Sequence, residues 1–269
     1  MTKVGLGLPL DDIDALLTWA QHADAGPFST LALADRIVYH NPEPLITLAA
    51  IAGATSRIRV QTEILLAPAR ETVLLAKQAA TLDRISGGRF TLGMGVGIRP
   101  DDFEVTGFDH ATRAARFDEQ LATMRDIWSG DRIGPRTKGP ELLFGAFRPA
   151  ALRRAARFGD GVISAAPPDF TDHIYRSFEK FWNDNDRTGE PRLVAQVNTA
   201  LESTKDEAAR NICSYYGDYG PTVVERLVTT ETHIRDAIQT FTDLGADEVI
   251  LYCWSPNPTQ IPYLADIIS

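Results

Sequence analysis

The side chains in this sequence that could do acid-base chemistry stand where short apolar runs end. Glu63 interrupts the run RVQTEILLAP, and Arg36 and His40 lie in the string ALADRIVYH. A carboxylate at such a position needs a positive partner, so we expect Glu63 to pair with Arg36 or Arg99. The pair would act on a substrate or be purely structural. His40 could donate a proton, because histidine titrates near neutral pH, although a solvated loop histidine is the simpler interpretation.

A second candidate site lies in the string FGAFRPAALRRAARF, where a strand runs directly into a helix. Pro149 suits the first position of that helix, because its missing N–H costs nothing there. The amides around Ala146, Phe147 and Arg148 would then be free, with the positive end of the helix dipole behind them. Arg148 would add a forked donor suited to phosphate. The pattern predicts an anion site, although every helix that follows a strand offers a similar N-terminus.

Glycines make the end of another strand bare of side chains. Gly93, Gly95 and Gly97 in FTLGMGVG indicate that a flat or anionic group approaches closer than a Cβ would allow. The string resembles the start of the dinucleotide motif GxGxxG, but its third glycine would fall at Ile98. Pro100 and an acidic cluster follow instead of an immediate helix. These two failures argue against a Rossmann nucleotide site.

The positions of these residues depend on an alternation of strands and helices along the chain. Short β-rich runs precede apolar patterns at helical spacing, which predict helices over residues 11–24, 43–54, 70–84, 112–128, 149–158, 169–186 and 204–216 and from residue 257. Eight such units without a linker predict one α/β domain, residues 1–269, folded as a (β/α)8 TIM barrel. Extra helix within 217–243 predicts an insertion before strand 8. The candidate residues then lie at the C-terminal strand ends, where such barrels bind ligands.

Charge and residue spacing argue against several classes of function. The formal net charge is −9 and the pI is about 5.1, which disfavours a nucleic acid or an anionic membrane as partner. The sequence shows no signal-peptide pattern and no apolar stretch of membrane-spanning length, so we expect a cytoplasmic protein. Cys213 and Cys253 lack CxxC spacing, and the five histidines lack HxH or HExxH spacing, so no metal site is expected.

Long strings of the sequence resemble a known family. LLAKQAATLDRISGGRFTLGMGVGIRPDDFEVTGFD, followed by RAARFDEQLATMRDIWSG, looks like the signature region of the bacterial luciferase-like flavin and deazaflavin oxidoreductases. LRRAARFGDGVI is similar to a later segment of that family. The resemblance is strong from about Asp35 to Ile163 and weak elsewhere. It implies a luciferase-like TIM barrel that holds reduced FMN or the deazaflavin coenzyme F-420 at its C-terminal mouth.

The resemblance also implies where the ring of the cofactor lies. It places a non-proline cis peptide bond at or next to Glu63 and Ile64, in a bulge of the third strand that supports the ring. Gly95, Val96 and Gly97 correspond to the segment of the fourth strand beside the cofactor. Their bare main chain would let the ring system lie against it.

The phosphate site of the family matches the start of the fifth helix. The corresponding residues here are Gly145, Ala146, Phe147 and Arg148. Many members carry hydroxyl donors there, and this sequence does not, so amides and Arg148 must bind the phosphate. Arg113, near the start of the fourth helix, is a further candidate to reach the cofactor. Arg36 stands where flavin monooxygenases of the family carry a histidine, which leaves His40 as the substitute.

The resemblance implies an oxidoreductase, and we expect a flavin-dependent monooxygenase. It would use reduced FMN delivered by a separate flavin reductase and transfer oxygen from dioxygen to a small organic substrate. Arg36 and Glu63 would orient this substrate or polarise its carbonyl group. Phe103, Tyr252 and Trp254 would shape an apolar pocket around it.

Two alternatives differ from this hypothesis in chemistry. The first is an enzyme that transfers hydride with coenzyme F-420, whose longer anionic tail could be bound by Arg36, Arg99 and Arg148. The second is a flavin-binding barrel without catalytic activity. Family members often form homodimers through helices near the second and third units, and the apolar face of residues 43–54 is compatible with a homodimer.

Overall fold

Parallel strands form a closed barrel in this protein, and helices surround it. The computed structural model describes residues 2–8 and 12–269. The strands are β1 (Lys3–Leu8), β2 (Thr30–Leu33), β3 (Arg59–Thr62), β4 (Leu65–Leu66), β5 (Phe90–Gly95), β6 (Glu141–Gly145), β7 (Gly161–Ser164), β8 (Arg192–Thr199) and β9 (Glu248–Cys253). Neighbouring strands pair in parallel, and both β3 and β4 pair with β5, which closes the sheet.

β3 and β4 are two parts of one strand position in the barrel. Two residues separate them, and the peptide bond between Glu63 and Ile64 is cis, as the resemblance implied. β3 pairs with β5 through Val60 and Gln61, and β4 continues the same pairing from Leu65. The barrel therefore has eight strand positions, and the predicted (β/α)8 fold is confirmed.

The helices cover the outer face of the sheet. They are α1 (Ile13–Ala25), α2 (Pro44–Ala54), α3 (Thr72–Ile85), α4 (Pro100–Glu104), α5 (Arg113–Ser129), α6 (Pro149–Phe158), α7 (Pro168–Asp184), α8 (Lys205–Tyr216), α9 (Gly220–Val224), α10 (Glu231–Asp243) and α11 (Gln260–Ile268). Proline opens α2, α4, α6 and α7, where its fixed φ suits the first turn. The predicted bounds agree to within about three residues, except that the predicted start at residue 11 lies outside the described residues.

The predicted insertion before the last strand is present, but a different helix forms the crossover. The sequence pattern assigned residues 204–216 to the seventh strand-helix unit. In the structure α10 packs against β8 and β9, whereas α8 packs against α9. Asn211 on α8 donates a hydrogen bond of 2.8 Å to the carbonyl oxygen of Trp254, just after β9. α8 and α9 therefore form the insertion, and they lie at the C-terminal end of the barrel.

An apolar core and a network of ion pairs stabilise the barrel. Large apolar side chains such as Trp19, Phe90 and Phe117 are completely buried or nearly so in the main core. At the N-terminal end of the barrel, Arg192 pairs with both Glu141 and Glu248. These buried or partly buried charged groups are tolerated because they are paired and hydrogen-bonded.

The sequence predicts neither a membrane-spanning segment nor a metal site. Across residues 2–8 and 12–269, no helix is long and apolar enough to cross a membrane. Within the same ranges, no group of three or more His, Cys, Asp and Glu side chains could hold a metal ion.

Candidate functional site

Glu63 follows β3 directly, at the mouth of the barrel, and only 6% of it is exposed. Its Oε2 accepts a hydrogen bond of 2.9 Å from Nε2 of Gln61, whereas Oε1 has no partner among the described residues. Burial raises the pKa of Glu63 to about 8, and the hydrogen bond from Gln61 and the positive charge of Arg192 oppose this rise only in part. The carboxyl group is therefore mostly protonated at pH 7. The predicted pairing of Glu63 with Arg36 or Arg99 is wrong.

Arg36 pairs with the acidic segment at the start of α4 instead. Its Nε donates to Asp102 at 2.7 Å, its Nη2 to Asp101 at 3.2 Å and its Nη1 to the carbonyl oxygen of Tyr215 at 3.2 Å. Arg99 donates to the same Asp101 at 2.8 Å. Because carboxylates neutralise both arginines, the geometry favours a structural role for Arg36 over the predicted catalytic one.

His40 is exposed in the loop after β2. The centroid of its ring lies 6.1 Å from that of Tyr39, and His40 makes no hydrogen bond to any described residue. No neighbour therefore orients its ring nitrogens. The role of His40 as a proton donor stays a prediction.

The glycine-rich strand end is bare for a reason that the sequence did not reveal. A Cβ on Gly93 would lie 2.1 Å from the carbonyl oxygen of Thr62, and a Cβ on Gly95 would lie 2.2 Å from Cδ1 of Ile64. Gly97 has a φ of +70°, which side chains rarely adopt. The protein therefore requires glycine at position 93 because of a main-chain contact and at position 97 because of φ, whereas the atom close to Gly95 is the end of a side chain that can move. The approach of a ring to this strand end stays a prediction.

Three further residues from the sequence analysis support the loop after β5. Arg113 donates from Nε to the carbonyl oxygen of Gly97 at 2.8 Å and from Nη1 to that of His110 at 2.6 Å. Val96 packs against the main core. Phe103, predicted to line a pocket, is 1% exposed and packs beneath Gly97 instead. Arg113 and Phe103 therefore fix this loop rather than face solvent.

The residues of the predicted anion site lie between the end of β6 and the start of α6. Arg148 is extended just before the first residue of α6, and it is exposed. The amides of Phe147 and Arg148 donate to no acceptor in the described parts of the chain, and no described carboxylate pairs with the guanidinium of Arg148. Ala146 is buried, and Ile64 packs over Gly145. We call residues 145–148 the anion cradle.

Aromatic side chains form a second feature of the mouth. Neighbouring rings lie 5.0–6.5 Å apart between centroids, and several meet edge to face. We call this cluster the aromatic wall; its members are Tyr39, Tyr215, Tyr216, Tyr219, Tyr252 and Trp254. Tyr252 and Trp254 were predicted, and both are buried. The Tyr252 hydroxyl donates to the carbonyl oxygen of Glu63 at 3.1 Å, which joins the wall to the end of β3.

The sequence analysis did not single out the tyrosines of α8. Tyr216 is half-buried, and burial raises its pKa to about 12, with the nearby Glu63 adding to the rise. Gln196 on β8 lies beside its hydroxyl and opposes the shift in part. The string SYYGDYG was the available signal, because so many aromatic residues in an inserted segment are unusual on a solvated surface.

The anion cradle and the aromatic wall face each other across the mouth. Part of the wall lies on β9 and in the loop after β2, which flank β1 on either side, and the tyrosines of α8 and of the turn after it pack against that part. The cradle follows β6, which is four strand positions from β1 in both directions around the closed sheet. A ligand held by its anionic end at the cradle would therefore extend toward the wall.

A recess at the N-terminal end of the barrel is a weaker candidate for the functional site, because its charged residues already have partners in the protein. It has a volume of about 470 Å³ and is lined in part by Lys3, Arg192 and Asp247. Arg192 is occupied by its two carboxylate partners, and Asp247 accepts a hydrogen bond of 2.8 Å from the amide of Leu193. TIM-barrel enzymes place their chemistry at the opposite end. We therefore assign the candidate site to the mouth.

These features define a TIM barrel with its polar site at the C-terminal mouth and a cis peptide bond in the third strand position. A family model described as luciferase-like monooxygenase matches residues 2–241, so the chain belongs to that family. The predicted resemblance is confirmed. The protein is therefore an enzyme of the luciferase-like oxidoreductase and monooxygenase family.

The similar proteins include monooxygenases and an F420-dependent enzyme. The monooxygenase RslO1 from Streptomyces bottropensis is 22% identical, with a TM-score of 0.84 over 99% of this chain and 98% of that one. An F420-dependent secondary alcohol dehydrogenase, solved with an F420-acetone adduct, is 17% identical, with a TM-score of 0.85 over the same shares. These two likenesses show the fold alone. The 4-hydroxyprotoasukamycin monooxygenase of Streptomyces nodosus subsp. asukaensis is 34% identical over 125 residues, 46% of this chain and 34% of the relative.

Proposed function

We propose that this protein is a flavin-dependent monooxygenase that uses reduced FMN and dioxygen to oxygenate a small organic substrate. The anion cradle carries the proposal. Its two free amides, the N-terminus of α6 and the unpaired Arg148 match one phosphate group at the end of a flexible chain. A separate flavin reductase would supply the reduced cofactor.

The charge balance at the mouth favours FMN over the deazaflavin. Arg36, Arg99 and Arg148 are the candidates for binding the longer anionic tail of coenzyme F-420. Asp101 and Asp102 neutralise the first two, which leaves Arg148 alone of the three. A single phosphate therefore suits the site better than a tail with several charges.

One observation favours hydride transfer with coenzyme F-420 as a second candidate. Glu63 is a buried carboxylic acid that stays protonated up to a pH of about 8. Reduction of a carbonyl group requires a proton for the oxygen, and a neutral carboxyl group is a suitable donor. Membership in an enzyme family speaks against the third interpretation, a barrel that binds flavin without catalysis.

The residues of the mouth would divide the work as follows. Reduced FMN, when bound, supplies the electrons and the reaction with dioxygen. Arg148 and the amides of the cradle hold its phosphate, and Ile64, wedged against Gly95 and Gly145, offers an apolar surface between cradle and wall. The aromatic wall excludes water from the reacting groups.

An apolar surface on α2 and α3 supports a proposal about assembly. Ile46 is 70% exposed and Leu74 is 54% exposed, each in the first turn of its helix. Exposed apolar patches of this kind commonly mark protein contacts. We include a homodimer through these helices in the proposal.

A titration tests the proposed cofactor. Purified protein is titrated with FMN and with coenzyme F-420, each oxidised and reduced, and the dissociation constants are compared between wild type and Arg148→Ala. Loss of a charge-assisted contact to phosphate should weaken FMN binding by about 1.5–3 kcal/mol.

Arg136→Ala is the matched control, because Arg136 is an exposed arginine that precedes β6 at the opposite end of the barrel. It should leave both affinities unchanged. Equal affinity of wild type and Arg148→Ala for FMN would remove Arg148 from the site. Binding of coenzyme F-420 alone would replace the first candidate with the second.

A further inference from the structure

Carboxylates neutralise two of the arginines at the mouth. Arg36 and Arg99 are paired with Asp101 and Asp102, so these four groups cancel in two pairs. Arg148 is assigned to the phosphate of the cofactor, and Arg113 donates to two main-chain carbonyl oxygens. Because a buried or half-buried site without a free opposite charge disfavours ions, the substrate should be uncharged.

The surface that a substrate would meet is apolar around its edge. Val38 follows β2 and is 43% exposed, Ile98 follows β5 and is 79% exposed, and Phe147 follows β6 and is 47% exposed. All three stand in loops at the C-terminal end of the barrel. Large apolar side chains left in water around a concave mouth are typical of a site for an apolar ligand.

The aromatic wall adds a preference for flat rings. Tyr216 lies 5.0 Å from Tyr215 and 5.7 Å from Trp254 between ring centroids, in edge-to-face or tilted arrangements. Tyr219 extends the cluster outward and is 54% exposed. Rings packed this way present both faces and edges, which bind another aromatic ring well.

Tyr216 also carries a hydrogen-bond donor that the protein does not use. Its hydroxyl is neutral at pH 7, since burial raises its pKa to about 12. Gln196 forms a hydrogen bond with this hydroxyl that lowers the pKa, so Gln196 is the donor of that bond, and within residues 2–8 and 12–269 no acceptor takes the proton of the hydroxyl. A hydroxyl whose proton has no acceptor in the protein is available to a ligand or to water.

We infer that the mouth binds a neutral aromatic substrate with an acceptor oxygen, and that the Tyr216 hydroxyl donates a hydrogen bond to this oxygen. The inference rests on the proposed function, because it assigns the cradle to the cofactor and leaves the wall to the substrate. It names the class of substrate and makes Tyr216 a binding residue.

Three probes with the same ring system test the class of substrate. 2-Acetylnaphthalene has a neutral acceptor oxygen, naphthalene has none, and 2-naphthoate is an anion. Dissociation constants are measured by equilibrium dialysis at pH 7, with and without saturating FMN. The ketone should bind about fivefold more tightly than naphthalene, and the anion should bind most weakly. Tightest binding of the anion, or no binding of any probe, would overturn the inference.

Tyr216→Phe separates the hydroxyl from the ring. This variant should bind the ketone about fivefold more weakly and naphthalene as tightly as wild type does, because only the donor is lost. Tyr263→Phe, which alters an exposed tyrosine on α11, should change neither value. Unchanged ketone affinity in a folded Tyr216→Phe variant would contradict the role of Tyr216.

FMN in the dialysis distinguishes this inference from the proposed function. Displacement of the probes by FMN would place them at the cofactor and overturn the inference while leaving cofactor binding intact. Failure of FMN to bind, with the order of the probes preserved, would instead refute the proposed cofactor and support the wall as a substrate site.

Discussion

The two ends of the barrel use similar side chains in opposite ways. At the N-terminal end, Arg192 lies between Glu141 and Glu248, and Ser29 donates to Glu248 as well. At the mouth, the Oε1 of Glu63 and the guanidinium of Arg148 have no partner in the described parts of the chain. Charged and polar residues alone therefore do not mark a site. An unpaired charge such as that of Arg148 at the ligand-binding end of a barrel is a better indication, because it is available to a ligand.

We expect the largest loss of stability from a substitution that breaks the ion-pair network at the N-terminal end. Arg192→Ala would leave Glu248, whose side chain is 1% exposed, without its cation, which should lower the free energy of unfolding by about 3–5 kcal/mol. Urea denaturation followed by circular dichroism measures the change. Arg136→Ala, which breaks only an exposed pair with Asp131, is the control and should change little. A loss under 1 kcal/mol for Arg192→Ala would show that the network is not a source of stability.

Glu63 should make stability depend on pH in a particular direction. The unfolded chain loses this proton above a pH of about 4.5, whereas the folded protein keeps it to about 8, so the free energy of unfolding should fall as pH rises between these values. Glu63→Gln cannot ionise, and wild type should lose about 3 kcal/mol relative to it between pH 5 and pH 8. Urea denaturation of both proteins at several pH values measures the difference. Parallel pH profiles would mean that Glu63 ionises normally.

Arg36→Ala tests whether Arg36, a charged residue at the mouth, contributes to stability and not to ligand binding. Asp102, also nearly inaccessible, would lose its cation but keep hydrogen bonds of 2.8 and 3.0 Å from the amides of Ile37 and Val38. The loss of stability should therefore be smaller, about 2 kcal/mol. The affinity for FMN should stay within about twofold of wild type, since Arg36 contacts no part of the cradle. A much larger loss of affinity would restore Arg36 to the ligand site.

The sequence predicts the elements of this site better than its contacts. The start of α6 follows from Pro149 behind a strand, and the cis bond at Glu63 and Ile64 follows from the resemblance. The partner of Arg36 does not follow, because any nearby carboxylate would satisfy a buried arginine. Only tertiary packing selects Asp102.

The same limit explains the tyrosines of the mouth. The position of Tyr216 depends on how α8 folds back over the barrel, and no local pattern encodes this. The glycines also show that sequence predicts local structure better than tertiary contacts. Their strand end was predicted correctly, but the atoms that crowd Gly93 and Gly95 come from the third strand position of the barrel.

Arg148→Ala gives the smallest expected effect on stability. The side chain is exposed and unpaired within the described residues, so its loss should change the free energy of unfolding by less than about 0.5 kcal/mol. The same variant should lose most of its affinity for FMN, so one side chain would contribute to binding and not to folding. Paired urea denaturation and FMN titration of one preparation measure both quantities. A stability loss as large as that of Arg36→Ala would mean that the folded protein itself pairs this charge. The contrast between paired charges at the N-terminal end and an unpaired charge at the mouth would then be wrong for Arg148, the residue that shows it most clearly.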